Sequence, residues 1–165
     1  MIVVSNSTPL ITLAKVGHFD LLKLLFTEIT ISHEVWEEVV VKGVNQPGSG
    51  ETSQANWIKV HPLIKSSLID EWKIAYNLGA GEVSTVLLAK QLSANLSLID
   101  ERRARTLAVK QGLAITGSLA LLEHGYRKKH LKDLRQVYAQ LIICGIWIDQ
   151  KKLNQSLAGF GLSPL

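Results

Sequence analysis

The chain has 165 residues, 47% of them hydrophobic and 19% charged, and a formal net charge of +4. This is enough apolar material for one domain with a real core, too short for two domains, and without the roughly 20 consecutive apolar residues that a membrane span needs. No charged leader precedes the first apolar residues, a single Cys144 excludes an internal disulfide and any thiolate cluster, and the expectation is a soluble, cytoplasmic protein whose mild basic bias suits an anionic partner.

In chain order, Ile2-Val3-Val4 is a short β-branched run ended by Ser5-Asn6-Ser7-Thr8, and Pro9 suits the first turn of a helix. Leu10, Leu13 and Ala14 repeat at helical spacing up to Gly17, and Leu21, Leu22, Leu24 and Leu25 predict a second short helix. Thr27 to Ile31 alternates as a strand does, and Ser32 can cap a helix running to Lys42. Gly43 to Ser53, rich in Gly, Ser, Asn and Gln, reads as a long surface loop. Trp57 to His61 predicts a strand stopped by Pro62, and Ile64 to Leu78 a helix.

Gly79-Ala80-Gly81 breaks that pattern, and Glu82 opens a helix whose Val83, Val86, Leu87 and Ala89 face a core. Leu96 to Ile99 predicts a buried strand, Glu101 to Gln111 a helix ended by Gly112, and Leu113 to Thr116 the next strand. Helices from Ser118 to about Arg127 and from Leu131 to Ile143 follow. Ile146-Trp147-Ile148 then predicts a short strand, and Asp149-Gln150 the capped start of a last helix through Leu157. Strands alternating with helices predict an α/β fold: a parallel sheet covered on both faces, in one domain over residues 1–165.

In such a sheet every strand-to-helix turn emerges at the same edge, so the segments ending in Asn6, Glu82, Asp100-Glu101 and Thr116-Gly117-Ser118 are expected to share one pocket. Carboxylates gathered there point to a divalent metal and phosphodiester chemistry. Asn6 is the odd member, neutral where such a site wants an acid. Gly79-Ala80-Gly81 is not a dinucleotide-binding loop, since position 84 is Ser84 and a helical segment precedes it. No Gly-Lys-Ser or Gly-Lys-Thr occurs, which disfavours nucleotide hydrolysis.

Each residue also has an ordinary structural role. Asp100 suits a helix N-cap, but Arg102, Arg103 and Arg105 in the following turn oppose the helix dipole by about 0.3 to 1 kcal/mol each. Ion pairing with Asp100 and Glu101 offsets that, as does a bound polyanion. With Ala104, Leu107 and Ala108 facing inward, the three arginines are expected to point away from the core. Glu82 is well placed for the dipole of its own helix, while Gly79 and Gly81 leave room beside its carboxylate. Glu37 and Glu38 flank the apolar face of Val35, Trp36, Val39 and Val40 symmetrically, and phasing does not choose between them. The hydroxyls of Thr116 and Ser118 can cap a helix or hold a metal-bound water. The five histidines show no ligand spacing, Cys144 reads as a small buried hydrophobe, and the basic run Arg127 to Lys132 as a solvated face.

In their order and spacing, Val4-Ser5-Asn6-Ser7-Thr8-Pro9-Leu10-Ile11, Val35-Trp36-Glu37-Glu38-Val39, Gly81-Glu82, Leu98-Ile99-Asp100-Glu101-Arg102-Arg103-Ala104-Arg105 and Thr116-Gly117-Ser118-Leu119 resemble the PIN-domain family. Within it they resemble a subgroup of small prokaryotic nucleic-acid-binding proteins, across almost the whole chain. The resemblance implies a three-layer α/β/α sandwich on a parallel sheet and a Mg²⁺- or Mn²⁺-dependent ribonuclease acting on single-stranded RNA. It also implies frequent homodimers and, for many relatives, a toxin role beside an antitoxin protein. Carried onto this sequence, the family's first aspartate falls on Asn6, its helical glutamate on Glu38, and its next acid on Glu82. The acid after the fourth strand falls on Asp100 or Glu101, and the last polar position on Thr116 or Ser118. Glu38, Glu82, Asp100 and Glu101 are thereby expected to be catalytic, with Glu82 and Asp100 at the centre. Asn6, Glu82 and Asp100 are the expected metal ligands, Arg102, Arg103 and Arg105 the nucleic-acid contacts, and Ser7, Thr116 and Ser118 supports. An amide at position 6 ligates a hard cation without supplying charge, so the alternative expectation is a weakened or inactive binding module.

Overall fold

Short apolar runs bounded by turn-formers build five strands in the computed structural model, which describes residues 1–165: β1 Val3–Ser5, β2 Ile29–Ser32, β3 Ile58–His61, β4 Leu96–Leu98 and β5 Ile115–Thr116. Every pairing is parallel, in the spatial order β3-β2-β1-β4-β5. From β1 the chain steps outward through β2 to β3, then returns to the other side of β1 as β4, so the order of strand addition reverses between β1 and β4. Ser5 pairs with Leu98 and Leu98 with Thr116. The ladder runs one residue further, through Asn6 N–H to the Leu98 carbonyl and Ile99 N–H to the Thr116 carbonyl, both at 2.9 Å. Asn6, Asp100 and Gly117 therefore leave the sheet side by side, at the edge where open parallel sheets bind their ligands.

Ten helices cover the sheet: α1 Ser7–Lys15, α2 Leu21–Phe26, α3 His33–Trp36, α4 Ser49–Gln54, α5 Leu68–Tyr76, α6 Ala80–Gln91, α7 Arg102–Lys110, α8 Ser118–Arg127, α9 Leu134–Ile143 and α10 Gln150–Gly159. α3 runs on into a π-helical segment, Glu37–Lys42. Alternate strand residues face opposite layers. Val3 and Leu98 join a cluster with Leu10, Leu22, Val35, Leu122, Tyr138 and Leu153. Their neighbours Val4 and Ile99 turn to the other side, where Val86, Leu88, Ala104 and Leu107 of α6 and α7 cover them. This is a three-layer α/β/α fold. α6 is buried on every side from Val83 to Ala89, so it carries no amphipathic stripe and serves as the inner wall of its layer.

Local signals set several helix starts. Ser32 Oγ accepts from Val35 N–H at 3.1 Å, Asp133 from Gln136 N–H at 2.9 Å and Asp149 from Lys151 N–H at 2.9 Å. Several sequence expectations change. The Gly43–Ser53 stretch is not loop throughout: Gly48, at φ +94°, turns the chain into α4, and Glu51 Oε2 accepts from Gly48 N–H. α5 starts at Leu68, after a turn over residues 64–67, and α9 at Leu134, because Asp133 caps it there. Ile146-Trp147-Ile148 pairs with no strand. Ile146 and Ile148 pack on the main core, while Trp147 stands 95% exposed. Cys144 is half-buried, with its thiol beside the Lys15 carbonyl. No helix is long and apolar enough to cross a membrane.

Candidate active site

Asn6 follows β1 in extended conformation and is 1% exposed. It occupies the N-cap position of α1, yet its side chain makes no capping bond. The amide reaches across the reversal in strand order instead: Nδ2 donates to Glu101 Oε2 at 3.0 Å. Thr8, in the first turn of α1, donates its hydroxyl to the other oxygen, Glu101 Oε1. Ser7 Oγ lies 3.0 Å from Glu38 Oε1 and 3.5 Å from Asn6 Oδ1, so its one hydrogen goes to the nearer, charged acceptor. Two hydrogen-bonded pairs, Asn6–Glu101 and Ser7–Glu38, thus stand side by side across the mouth of the sheet, with Ser7 Oγ 3.5 Å from Asn6 Oδ1.

Gly81, buried in the first turn of α6, completes this centre by what it lacks. A Cβ there would lie 2.5 Å from Glu38 Oε2 and 3.7 Å from Asn6 Oδ1. Both oxygens therefore face the same space, one that only glycine leaves open. Glu37 points elsewhere and pairs with His33 at 3.5 Å. The winding resolves the choice that helical phasing left open, since the helix widens to a π-helix from Glu37 onward and the period of 3.6 residues no longer applies.

Glu82 and Asp100 come to the same edge with their carboxylates engaged by helix N-termini. Glu82 Oε2 accepts from Gly79 N–H at 2.8 Å, closing the first turn of α6. Asp100 does not cap the helix that follows it. Its Oδ1 accepts from Ser118 N–H and its Oδ2 from Ser118 Oγ, both at 2.6 Å, so it holds the start of α8. Glu101 takes the N-cap position of α7, also without a capping bond, because Asn6 and Thr8 hold its carboxylate. Gly117 is the second close approach: a Cβ there would lie 2.7 Å from Asp100 Oδ1 and 3.0 Å from Arg105 Nη1.

The arginines divide. Arg102 and Arg103 are exposed, as their phase on α7 predicts. Arg105 is half-buried and folds back over the end of β4, where Nη1 donates to the Ile99 carbonyl at 2.7 Å beside Asp100. The expectation that it points away is corrected, since the carbonyl at the end of β4 needs a donor and Arg105 supplies one. Thr116 contributes its backbone carbonyl to Ile99, while Ser118 engages through both backbone and hydroxyl. Thr8 is the centre's residue that sequence reasoning assigned no role; a hydroxyl in the first helical turn after the strand edge was the available signal.

The site is short of positive charge. Burial, more than any other influence, pushes the Glu38 carboxyl above its usual range; the Ser7 hydrogen bond opposes this, the charges of Glu101 and Glu82 add to it, and Lys42 offsets them in part. Asp100 is also raised, first by burial, against the two Ser118 hydrogen bonds, with Glu101 raising it and Arg105 lowering it. No three His, Cys, Asp or Glu side chains converge into a metal cage. The donors that face the space beside Gly81 are hard oxygens, Glu38 Oε2 and Asn6 Oδ1, with the Glu101 carboxylate bonded to the same Asn6. One or two carboxylates with several retained waters is how Mg²⁺ is usually held, so the donor set fits that class of ion. It lacks the nitrogen and sulfur ligands of a typical zinc site.

An open groove of about 1090 Å³ leads away from this centre. Asp100, Glu101, Arg102, Lys110, Trp147 and Lys152 are among the residues that line it.

A family model described as a PIN domain matches residues 2–161, almost the whole chain. No curated protein matches the sequence.

Proposed function

The chain belongs to the PIN-domain family, a nuclease-type fold, and from that premise we infer that it is a metal-dependent endoribonuclease that hydrolyses phosphodiester bonds of single-stranded RNA. The observation that carries this reading is the pairing of Asn6 with Glu101 and of Ser7 with Glu38 at one sheet edge, with Glu38 Oε2 and Asn6 Oδ1 both facing the space beside Gly81. PIN domains generally use divalent ions. Glu38, Asn6 Oδ1 and Glu101 would hold Mg²⁺ or Mn²⁺ here, and a bound ion would polarise the phosphate and lower the pKa of an attacking water.

The chain's own residues do the positioning. Asn6 Nδ2 and Thr8 Oγ1 fix both oxygens of Glu101, and Ser7 fixes Glu38, so the acidic groups wait in one geometry. Glu82 adds negative charge at the rim, felt at Glu38. Asp100 ties the end of β4 to the start of α8, and Arg105 ties α7 back to the Ile99 carbonyl, which together set where Glu101 stands. Arg102 and Arg103 are exposed and supply cations for phosphates. The reading extends to a cytoplasmic toxin held by an antitoxin protein, and to a homodimer in which exposed Ile142 and Ile143 meet a second copy.

A second reading has its own observation. The Asn6 nitrogen is spent on Glu101, and the residue brings no charge to a cation, so the centre suits a catalytically weak module that binds RNA without cutting it. Incubation of single-stranded RNA with Mn²⁺ separates the two. Cleavage that Glu38→Gln and Glu101→Gln abolish supports the enzyme, and retention of intact RNA supports the binding module. Cleavage that neither substitution affects contradicts both.

A further inference from the structure

We propose that the groove leading from Glu101 past α7 to Trp147 is the track of a single RNA strand, in which Trp147 stacks a base while Arg102, Lys110 and Lys152 contact phosphates. This rests on the reading of RNA as substrate and assigns residues beyond the acidic centre. The groove adjoins that centre through Thr8 and Glu101, which line it and are bonded to each other. The groove, of about 1090 Å³, is open rather than enclosed, which suits an extended polymer.

The charges are free to act. The ion pairs of the molecule are His33–Glu37 and Arg127–Glu123, so Arg102, Lys110 and Lys152 keep theirs unpaired. Four acids also line the groove, and each accepts hydrogen bonds from the fold rather than from these cations: Asp100 from Ser118, Glu101 from Asn6 and Thr8, Asp149 from Lys151 N–H, and Glu123 from Ser156 Oγ at 2.6 Å. Trp147 is 95% exposed on a segment anchored on both sides by Ile146 and Ile148, which pack against the core. An indole held out from a fixed backbone beside unpaired cations is the arrangement of a stacking platform with phosphate contacts.

The test uses the full-length protein and a fluorescein-labelled RNA dodecanucleotide of mixed sequence. Its anisotropy is measured in EDTA so that no cleavage intervenes. Trp147→Ala is expected to weaken binding roughly five- to hundredfold, the range for loss of one stacked base, and Trp147→Phe to restore most of it. Lys152→Gln is expected to reduce the slope of log affinity against log salt by about 0.7, the value for one phosphate of a single strand. With Mn²⁺ present, the loss in Trp147→Ala is expected chiefly in KM. Wild-type binding without cleavage, still dependent on Trp147, upholds the track and removes the ribonuclease reading. Cleavage with Trp147→Ala binding as tightly as wild type does the reverse. Absence of RNA binding by the wild type, or loss of a dimer in Trp147→Ala with unchanged RNA affinity, overturns the track.

Discussion

Asn6 donates an amide hydrogen to Glu101 Oε2 at 3.0 Å, across the point where the order of strand addition reverses between β1 and β4. The family pattern has an aspartate here, which in this surrounding would set like charge against Glu101 with no hydrogen to give. The amide holds the acidic centre together without a cation. An acid would hold a cation more strongly and the empty centre less.

Asn6→Asp tests that exchange. Loss of a hydrogen bond to a charged group, about 1.5–3 kcal/mol, lowers the metal-free melting temperature. Added Mg²⁺ then raises the melting temperature of the variant by more than it raises that of the wild type, because tighter binding to the folded state stabilises it more. Equal Mg²⁺ shifts in the two proteins count against the role assigned to Asn6.

Gly81→Ala separates stability from the site. Alanine in a helix is favoured over glycine by about 0.5–1 kcal/mol, and the atom its Cβ would meet, Glu38 Oε2, ends a flexible side chain. Differential scanning calorimetry is expected to give an unchanged or higher melting temperature. Displacing Glu38 from the space that it shares with Asn6 Oδ1 is expected to cut metal-dependent RNA cleavage at least tenfold. Full activity with full stability removes Gly81 and Glu38 from the centre.

The pH dependence follows from Glu38. Its carboxyl titrates above its ordinary value in the folded chain, chiefly through burial, so between the two values the folded state holds a proton that the unfolded chain has released. The stability that this contributes is complete below the ordinary carboxylate range, near pH 4, and is lost as pH rises through the folded value. Urea titrations from about pH 4 upward are expected to show stability falling less steeply in Glu38→Gln than in wild type, since glutamine keeps the acceptor for Ser7 without the charge. Equal slopes would show that Glu38 is not desolvated.

Asp100 has a different signature. It fastens α8 to β4 through Ser118 N–H and Oγ, so Asp100→Ala leaves two donors without their acceptor and is expected to cost about 1.5–3 kcal/mol in urea unfolding. Asp100→Asn keeps an acceptor for Ser118 N–H and is expected to recover most of that. A cost near zero in Asp100→Ala would mean that water replaces Ser118 freely.

Much of the architecture was legible because local signals and global fold agree. Ile2-Val3-Val4 before Ser5-Asn6, Leu96 to Ile99 before Asp100, and Leu113 to Thr116 before Gly117 each mark a strand handing over to a helix, and parallel topology alone carries their ends to one edge. Ile146-Trp147-Ile148 misled because its apolar residues are those of a strand, while its two isoleucines are buried by helices rather than by a neighbouring strand. The site's internal wiring was less legible. Glu38 could not be told from Glu37 because the helix changes its winding at that point, which no periodicity reveals. That Asn6 and Thr8 bond to Glu101, while Ser118 takes Asp100, depends on side chains more than 90 residues apart for Glu101 and 18 apart for Asp100, a long-range outcome that neither spacing nor capping preference contains.

The central claim is that Glu38 and Glu101, held by Ser7 and Asn6, form a centre for metal-assisted cleavage of single-stranded RNA. It is tested most directly by following cleavage of labelled single-stranded RNA over a Mn²⁺ titration in wild type, Glu38→Gln and Glu101→Gln, each first confirmed folded by circular dichroism. The account predicts cleavage that rises with Mn²⁺ in wild type, stops with EDTA, and falls at least a hundredfold in both variants. Cleavage independent of metal, or undiminished in the two folded variants, would contradict it.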